Sequence, residues 1–108
     1  MSPTFLPWLA LIFAGLFEVA WALALKASDG FSKPIPSITF GITATISMVL
    51  LAYAMKHLPA GTAYAIWTGI GAVGTVVLGI VWFGDPANLL RVASICLILA
   101  GIVGLKLA

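Results

Sequence analysis

Charge is what this sequence has least of. Of its 108 residues, 7% are Asp, Glu, Lys or Arg, and 63% are hydrophobic. A water-soluble domain carries charge on roughly a quarter of its residues, so five basic and three acidic side chains cannot cover a water-facing globule. Lipid must be the solvent for most of the surface. A formal net charge of +2, scattered along the chain, lacks the concentrated basic patch of a nucleic-acid binder. The Lys and Arg residues read instead as anchors at the membrane edge. Cysteine and histidine are nearly absent too. Cys96 stands alone, which rules out an intramolecular disulfide and a multi-cysteine metal site, and in its apolar run it reads as an inert buried thiol. His57, between Lys56 and Pro59, reads as an exposed loop residue rather than a ligand. There is no metal-ligand set and no nucleophile–base pair, so neither a metal, a cofactor nor an enzymatic activity is expected.

Long apolar runs are plentiful. A hydrocarbon core of about 30 Å takes roughly 20 mostly apolar residues per helix, and four segments qualify. The first runs from about Pro7 to Leu25 and ends at Lys26-Ala27-Ser28-Asp29-Gly30, where Asp-Gly signals a turn. The second runs from about Ile35 or Pro36 to Met55, with proline suited to a first helical turn. The third spans about Ala60 to Phe83, before Gly84-Asp85-Pro86, and the fourth about Leu89 to Leu107. The first run is preceded by no Lys or Arg, is no short h-region leading into a small-x-small cleavage site, and is long enough to span, so it reads as a helix rather than a leader.

These runs predict an all-α integral membrane protein. It is a single four-helix domain over residues 1–108, because helices alone satisfy every backbone group of such a run in lipid. Short connections make adjacent helices antiparallel neighbours. Lys26, Lys33 and Arg91 then fall on one side and Lys56 and Lys106 on the other. A difference of one charge gives almost no orientation bias, which leaves insertion in both directions open.

Glu18 falls near the middle of the first segment. A charge at that depth costs at least about 2.5–3.5 kcal/mol, and glutamate is too short to snorkel to the interface. No Lys or Arg lies at comparable depth to neutralise it. A proton or a cation must therefore serve as its counter-charge. One carboxylate that takes either, but not both, is the minimum chemistry of an antiporter. Ala14, Gly15, Trp21, Ala22 and Leu25 share its helical face. Trp21 suits either an interfacial belt, close to Lys26, or a wall of the Glu18 site. Trp8 and Trp82, near segment ends, read as belt anchors.

In the third segment Tyr64, Trp67, Thr68 and Gly71 follow one face. Tyr64 can offer a hydroxyl to the carboxylate and the aromatic faces can hold a cation, but plain helix packing is the better single reading of this pair. In the second, Thr39, Thr43 and Ser47 recur every fourth residue. They either bond back to their own helix or, in the case of Ser47, orient Glu18. Gly69, Gly71 and Gly74 match G-x-G-x-x-G, but a membrane span leaves no room for the strand–turn–helix unit of a dinucleotide site. These glycines read as points of close helix contact or of a kink. Gly101 and Gly104, with Ser94 and Leu97, mark a packing face on the fourth segment, suited to a dimer seam.

Several stretches together resemble the small multidrug resistance family. They are Glu18 with Trp21, Lys26-Ala-Ser-Asp-Gly-Phe31, Pro59-Ala-Gly-Thr-Ala-Tyr-Ala-Ile-Trp67-Thr-Gly-Ile-Gly71, and Gly101-Ile-Val-Gly-Leu-Lys106. The likeness covers nearly the whole chain. Leu25-Lys26-Ala27-Ser28-Asp29-Gly30-Phe31, Pro36-Ser37 and Gly61-Thr62-Ala63-Tyr64 resemble its guanidinium-exporting branch more than its quaternary-ammonium drug pumps. Ser32 and Asp85 depart from that branch, which commonly has Thr and Glu there; both lie in loops. The resemblance implies an antiparallel, dual-topology homodimer in a bacterial inner membrane, exchanging H⁺ for guanidinium-type cations by alternating access. It implies Glu18 as the shared proton and substrate carboxylate, with Trp21, Ser47, Tyr64 and Trp67 lining the site or holding Glu18. A drug-pump activity and a non-transporting accessory subunit are the competing readings.

Overall fold

The computed structural model describes residues 5–108. They form four helices: α1 (Phe5–Ala27), α2 (Pro34–Met55), α3 (Ala60–Phe83) and α4 (Leu89–Leu107). Each is long and apolar enough to cross a membrane. The chain is an all-helical, multi-pass membrane protein with four spans.

The helix ends follow local chemistry. α1 starts before Pro7, because a first turn needs no N–H from its third residue. It also runs past Leu25 to Ala27, with Lys26 in its last turn, where a cation suits the helix dipole. α2 takes proline within its first two positions. α3 closes on Gly84 in the left-handed region (φ 70°), whose N–H donates to Gly79 O. Asn88 caps α4, its side chain accepting from Arg91 N at 2.9 Å.

The α1–α2 turn is built around Ser28, which is fully buried. Its Oγ donates to Leu25 O at 2.7 Å and accepts from Phe31 N at 3.1 Å. Its carbonyl accepts from Ser32 N and Lys33 N. This knot holds Asp29, Gly30 and Phe31 in succession at positive φ (48°, 70° and 66°).

The core lies among three of the helices: Leu11 and Ala14 of α1, Leu51 and Ala54 of α2, and Ala63, Ile66 and Trp67 of α3. α1 packs on both α2 and α3, whereas α4 packs mainly on α3, touches α1 through Lys106 over Trp8, and buries no residue fully. Successive helices alternate in direction. The C-terminal end of α1, the start of α2 and the end of α3 surround one groove; Trp8, Ile66 and Lys106 surround another at the opposite end.

Candidate functional site

The site begins with a glycine. A Cβ added at Gly71 of α3 would overlap the Glu18 carboxyl group, so the carboxyl rests on bare backbone. α1 and α3 run in the same direction, and Cα–Cβ bonds lean toward the helix N-terminus. Glu18 thus leans back along α1 to meet Gly71. The neighbouring glycines act in the same way. Gly74 accommodates Val19, and across the interface Gly15 of α1 takes Ile70 (2.6 Å from an added Cβ). Gly69 faces the other way, toward Ile102 and Ile98 of α4. The glycines of α3 are therefore contact points on two faces of a helix that runs unbroken from Ala60 to Phe83.

Glu18 Oε1 is buried and has no hydrogen-bond partner among the described residues, and the same holds for Trp21 Nε1. In a well-formed interior nearly every buried polar atom is paired. Here an acceptor and a donor, three residues apart, are both left open beside one cleft. That cleft has a volume of about 230 Å³ and is lined by Glu18, Trp21, Ala22, Thr68, Gly71, Ala72 and Thr75. Trp21 thus lines the cleft beside Glu18. Its ring meets Phe40 edge-on at 5.7 Å, and Phe40 meets Phe31 at 5.5 Å. Phe40 and Thr75 were not singled out by the sequence reading.

Ser47, Trp67 and Tyr64 form a second group. Ser47 is 0% exposed and Trp67 5%. Ser47 Oγ donates to Ala14 O at 2.7 Å and accepts from Trp67 Nε1 at 2.9 Å. One hydroxyl thereby ties α1, α2 and α3 together one turn from Glu18. Ser47 neither bonds back to its own helix nor bonds to Glu18. Thr39 and Thr43, its partners in the four-residue pattern, do bond back, to Ile35 O and Thr39 O. Tyr64 is 55% exposed and lies outside the cleft lining, with its ring 5.6 Å from that of Trp67.

Ser47→Ala would strand the buried Trp67 N–H. Orphaning a buried donor costs about 1–3 kcal/mol, and interhelical hydrogen bonds in bilayers average nearer 0.6. A loss of about 1–2 kcal/mol is expected, read by detergent-titrated unfolding. Trp67→Phe in the Ser47→Ala background, which removes the orphaned donor, should cost less than the two single losses combined.

Two expectations meet different outcomes on α4. Cys96 is exposed rather than buried, because the helix turns that face away from the other three. Gly101 and Gly104 likewise have open space where a Cβ would stand, and Leu97 is 74% exposed. Among the described residues nothing packs against these two glycines. At the opposite ends of the chain's helices, Trp8 sits beneath Lys106, whose Nζ is 4.6 Å from the ring centre, while Trp82 is exposed.

A lone carboxyl at membrane depth, seated on glycine and facing an open cleft, can exchange one counter-charge for another. The sequence profile described as Small Multidrug Resistance protein matches residues 6–98. A guanidinium exporter from Yersinia pseudotuberculosis is 62% identical over 101 residues, which are 94% of this chain and 97% of that protein. Guanidinium exporters from Escherichia coli K12 and Proteus vulgaris are each 55% identical over 94% of this chain, covering 96% and 97% of their own. By the extent of both matches, the chain belongs to the small multidrug resistance family.

Proposed function

We propose that this chain is a proton-coupled antiporter that exports guanidinium and small guanidinyl cations by alternating access across a bacterial inner membrane. The observation that carries this reading is the unpartnered Glu18 carboxyl oxygen beside the cleft. The names of the relatives, guanidinium exporters at 55–62% identity, supply the substrate. Guanidinium is planar and charged, and its paired N–H groups suit the two carboxylate oxygens of Glu18 bidentately. H⁺ and substrate compete for that group. Trp21 walls the cleft, and Ser47 and Trp67, with the Tyr64 ring tilted against that of Trp67, fix the helices around it.

The working unit is an antiparallel homodimer of two four-helix domains, each comprising residues 1–108. Two observations support it. α4 presents Gly101 and Gly104 on a face with nothing against it, and small residues on such a face allow close helix approach in lipid. The basic residues on the two sides differ by one, which permits insertion both ways. Two inverted copies would resemble the inverted repeats of larger transporters and bring two Glu18 carboxyls together, with coupled protonation.

The test is transport by purified protein in liposomes under an imposed pH gradient, with guanidinium and a tetraalkylammonium ion offered separately. Guanidinium should move against its gradient, at least tenfold faster than the tetraalkylammonium. The reverse preference would place the chain among the drug pumps. No movement of either by well-folded protein would leave only the accessory-subunit reading.

A further inference from the structure

Most hydroxyls on these helices are consumed locally. Thr39, Thr43, Thr45 and Ser94 each donate to a carbonyl one turn back on their own helix, at 2.7 to 3.0 Å. That is the usual fate of Ser and Thr in a membrane span. Thr68 and Thr75 of α3 form no such bond among the described residues, and these two line the Glu18 cleft. They lie three residues before and four after Gly71, on the same helical face, with Cβ spacings of about 5–6 Å per step. Since the carboxyl rests on Gly71, one free hydroxyl flanks it on either side. Counted from the helix ends beside the Lys26 turn, Thr75 and Glu18 stand at the same depth to within one residue.

We propose that Thr75, assisted by Thr68, is a specificity-determining residue that accepts the N–H groups of a guanidinium ion left free by Glu18. The proposal rests on the guanidinium reading above. A carboxylate bound bidentately takes two N–H groups of the cation, and four remain on unsubstituted guanidinium. In a cleft with few polar groups, each unpaired N–H loses its hydration without replacement. Ala22, Gly71 and Ala72 offer no side-chain acceptor, and Trp21 Nε1 is a donor only. Within one chain, the threonine hydroxyls are the side-chain acceptors that remain in the cleft lining. A tetraalkylammonium ion has no N–H group and gains nothing from them, so the pair separates the two substrate classes at one site.

The experiment compares wild type, Thr75→Val and Thr75→Ser in liposomes, reading half-saturating concentration and maximal rate for guanidinium. Valine keeps the shape and removes the acceptor; serine keeps the acceptor. Thr75→Val should raise the half-saturating concentration about tenfold and leave the maximal rate within about twofold, and Thr75→Ser should stay within about threefold of wild type. Hexamethylguanidinium, which keeps the cationic CN3 core but has no N–H groups, should inhibit wild type and Thr75→Val equally. An unchanged guanidinium affinity in Thr75→Val overturns the proposal. So does a Thr75→Ser variant as impaired as valine, since the role would then be packing. Thr68→Val is read by the same criteria, so a folding defect in one variant leaves the other to decide. A wild type that moves no guanidinium overturns the underlying function along with this role. A wild type that moves it with both variants unaffected overturns this role alone.

Discussion

Glu18→Gln should reduce gradient-driven guanidinium movement to the level of empty liposomes, with insertion and helicity unchanged. Glutamine fills the same volume but binds neither a titrating proton nor a counter-cation, so both halves of the exchange end with one substitution. Charge removal at this depth relieves a penalty of at least about 2.5–3.5 kcal/mol, so the variant should unfold no more readily than wild type. The sign of the pH effect follows from competition. In wild type, acidifying the side that presents guanidinium should raise its half-saturating concentration, because protons occupy the same oxygens. In Glu18→Gln, any residual guanidinium binding should not respond to pH. Residual transport above a few per cent of wild type would show that another group carries the proton. A variant that inserts but no longer assembles would give Glu18 a structural role.

Alanine scanning of the α3 glycines should separate seat from scaffold. At Gly71 an added Cβ meets the Glu18 carboxyl, and at Gly74 it meets Val19. The Glu18 carboxyl is the end of a flexible side chain and can swing aside. Val19 is β-branched, stiff at χ1 and buried, and it moves only with its backbone. Gly71→Ala should therefore leave unfolding within about 1 kcal/mol of wild type but lower transport by at least tenfold, because the carboxyl leaves its place in the cleft. Gly74→Ala should cost about 1–3 kcal/mol, the usual range for overpacking. Detergent-titrated unfolding beside guanidinium flux would decide it. Equal losses of stability at the two positions would contradict this division.

The four spans were legible because run length and the bilayer's thickness constrain each other tightly. Glu18 was legible because an ionisable side chain at membrane depth is costly and rare, and so marks a functional position. The Ser47 assignment was not. Thr39, Thr43 and Ser47 share one spacing, and only contact decides that Ser47 meets α1 and α3 while the other two bond back. Thr75 was missed because a membrane threonine ordinarily satisfies itself, so its presence in a sequence carries no signal. Cys96 was expected inside for a related reason. Lipid tails are as apolar as leucine, so hydropathy does not distinguish a face toward protein from a face toward lipid. The helix bounds differ at Pro7, Leu25 and Pro36 because first and last turns tolerate proline and lysine that hydropathy treats as punctuation.

The packing of α4 mainly on α3 also bears on biogenesis. The fully buried residues of the core among α1, α2 and α3, with the Ser47 bond across all three, end at Trp67, and from α4 only Ile102 packs against them. As the chain is synthesised from its N-terminus, this unit can close before α4 leaves the ribosome. The last helix then has a finished surface to settle on, and its arrival leaves the buried polar bonds undisturbed. A chain stalled within the α3–α4 connection should already be protected at Ser47 and Trp67, and the glycine face of α4 would be the last surface to enter the bilayer.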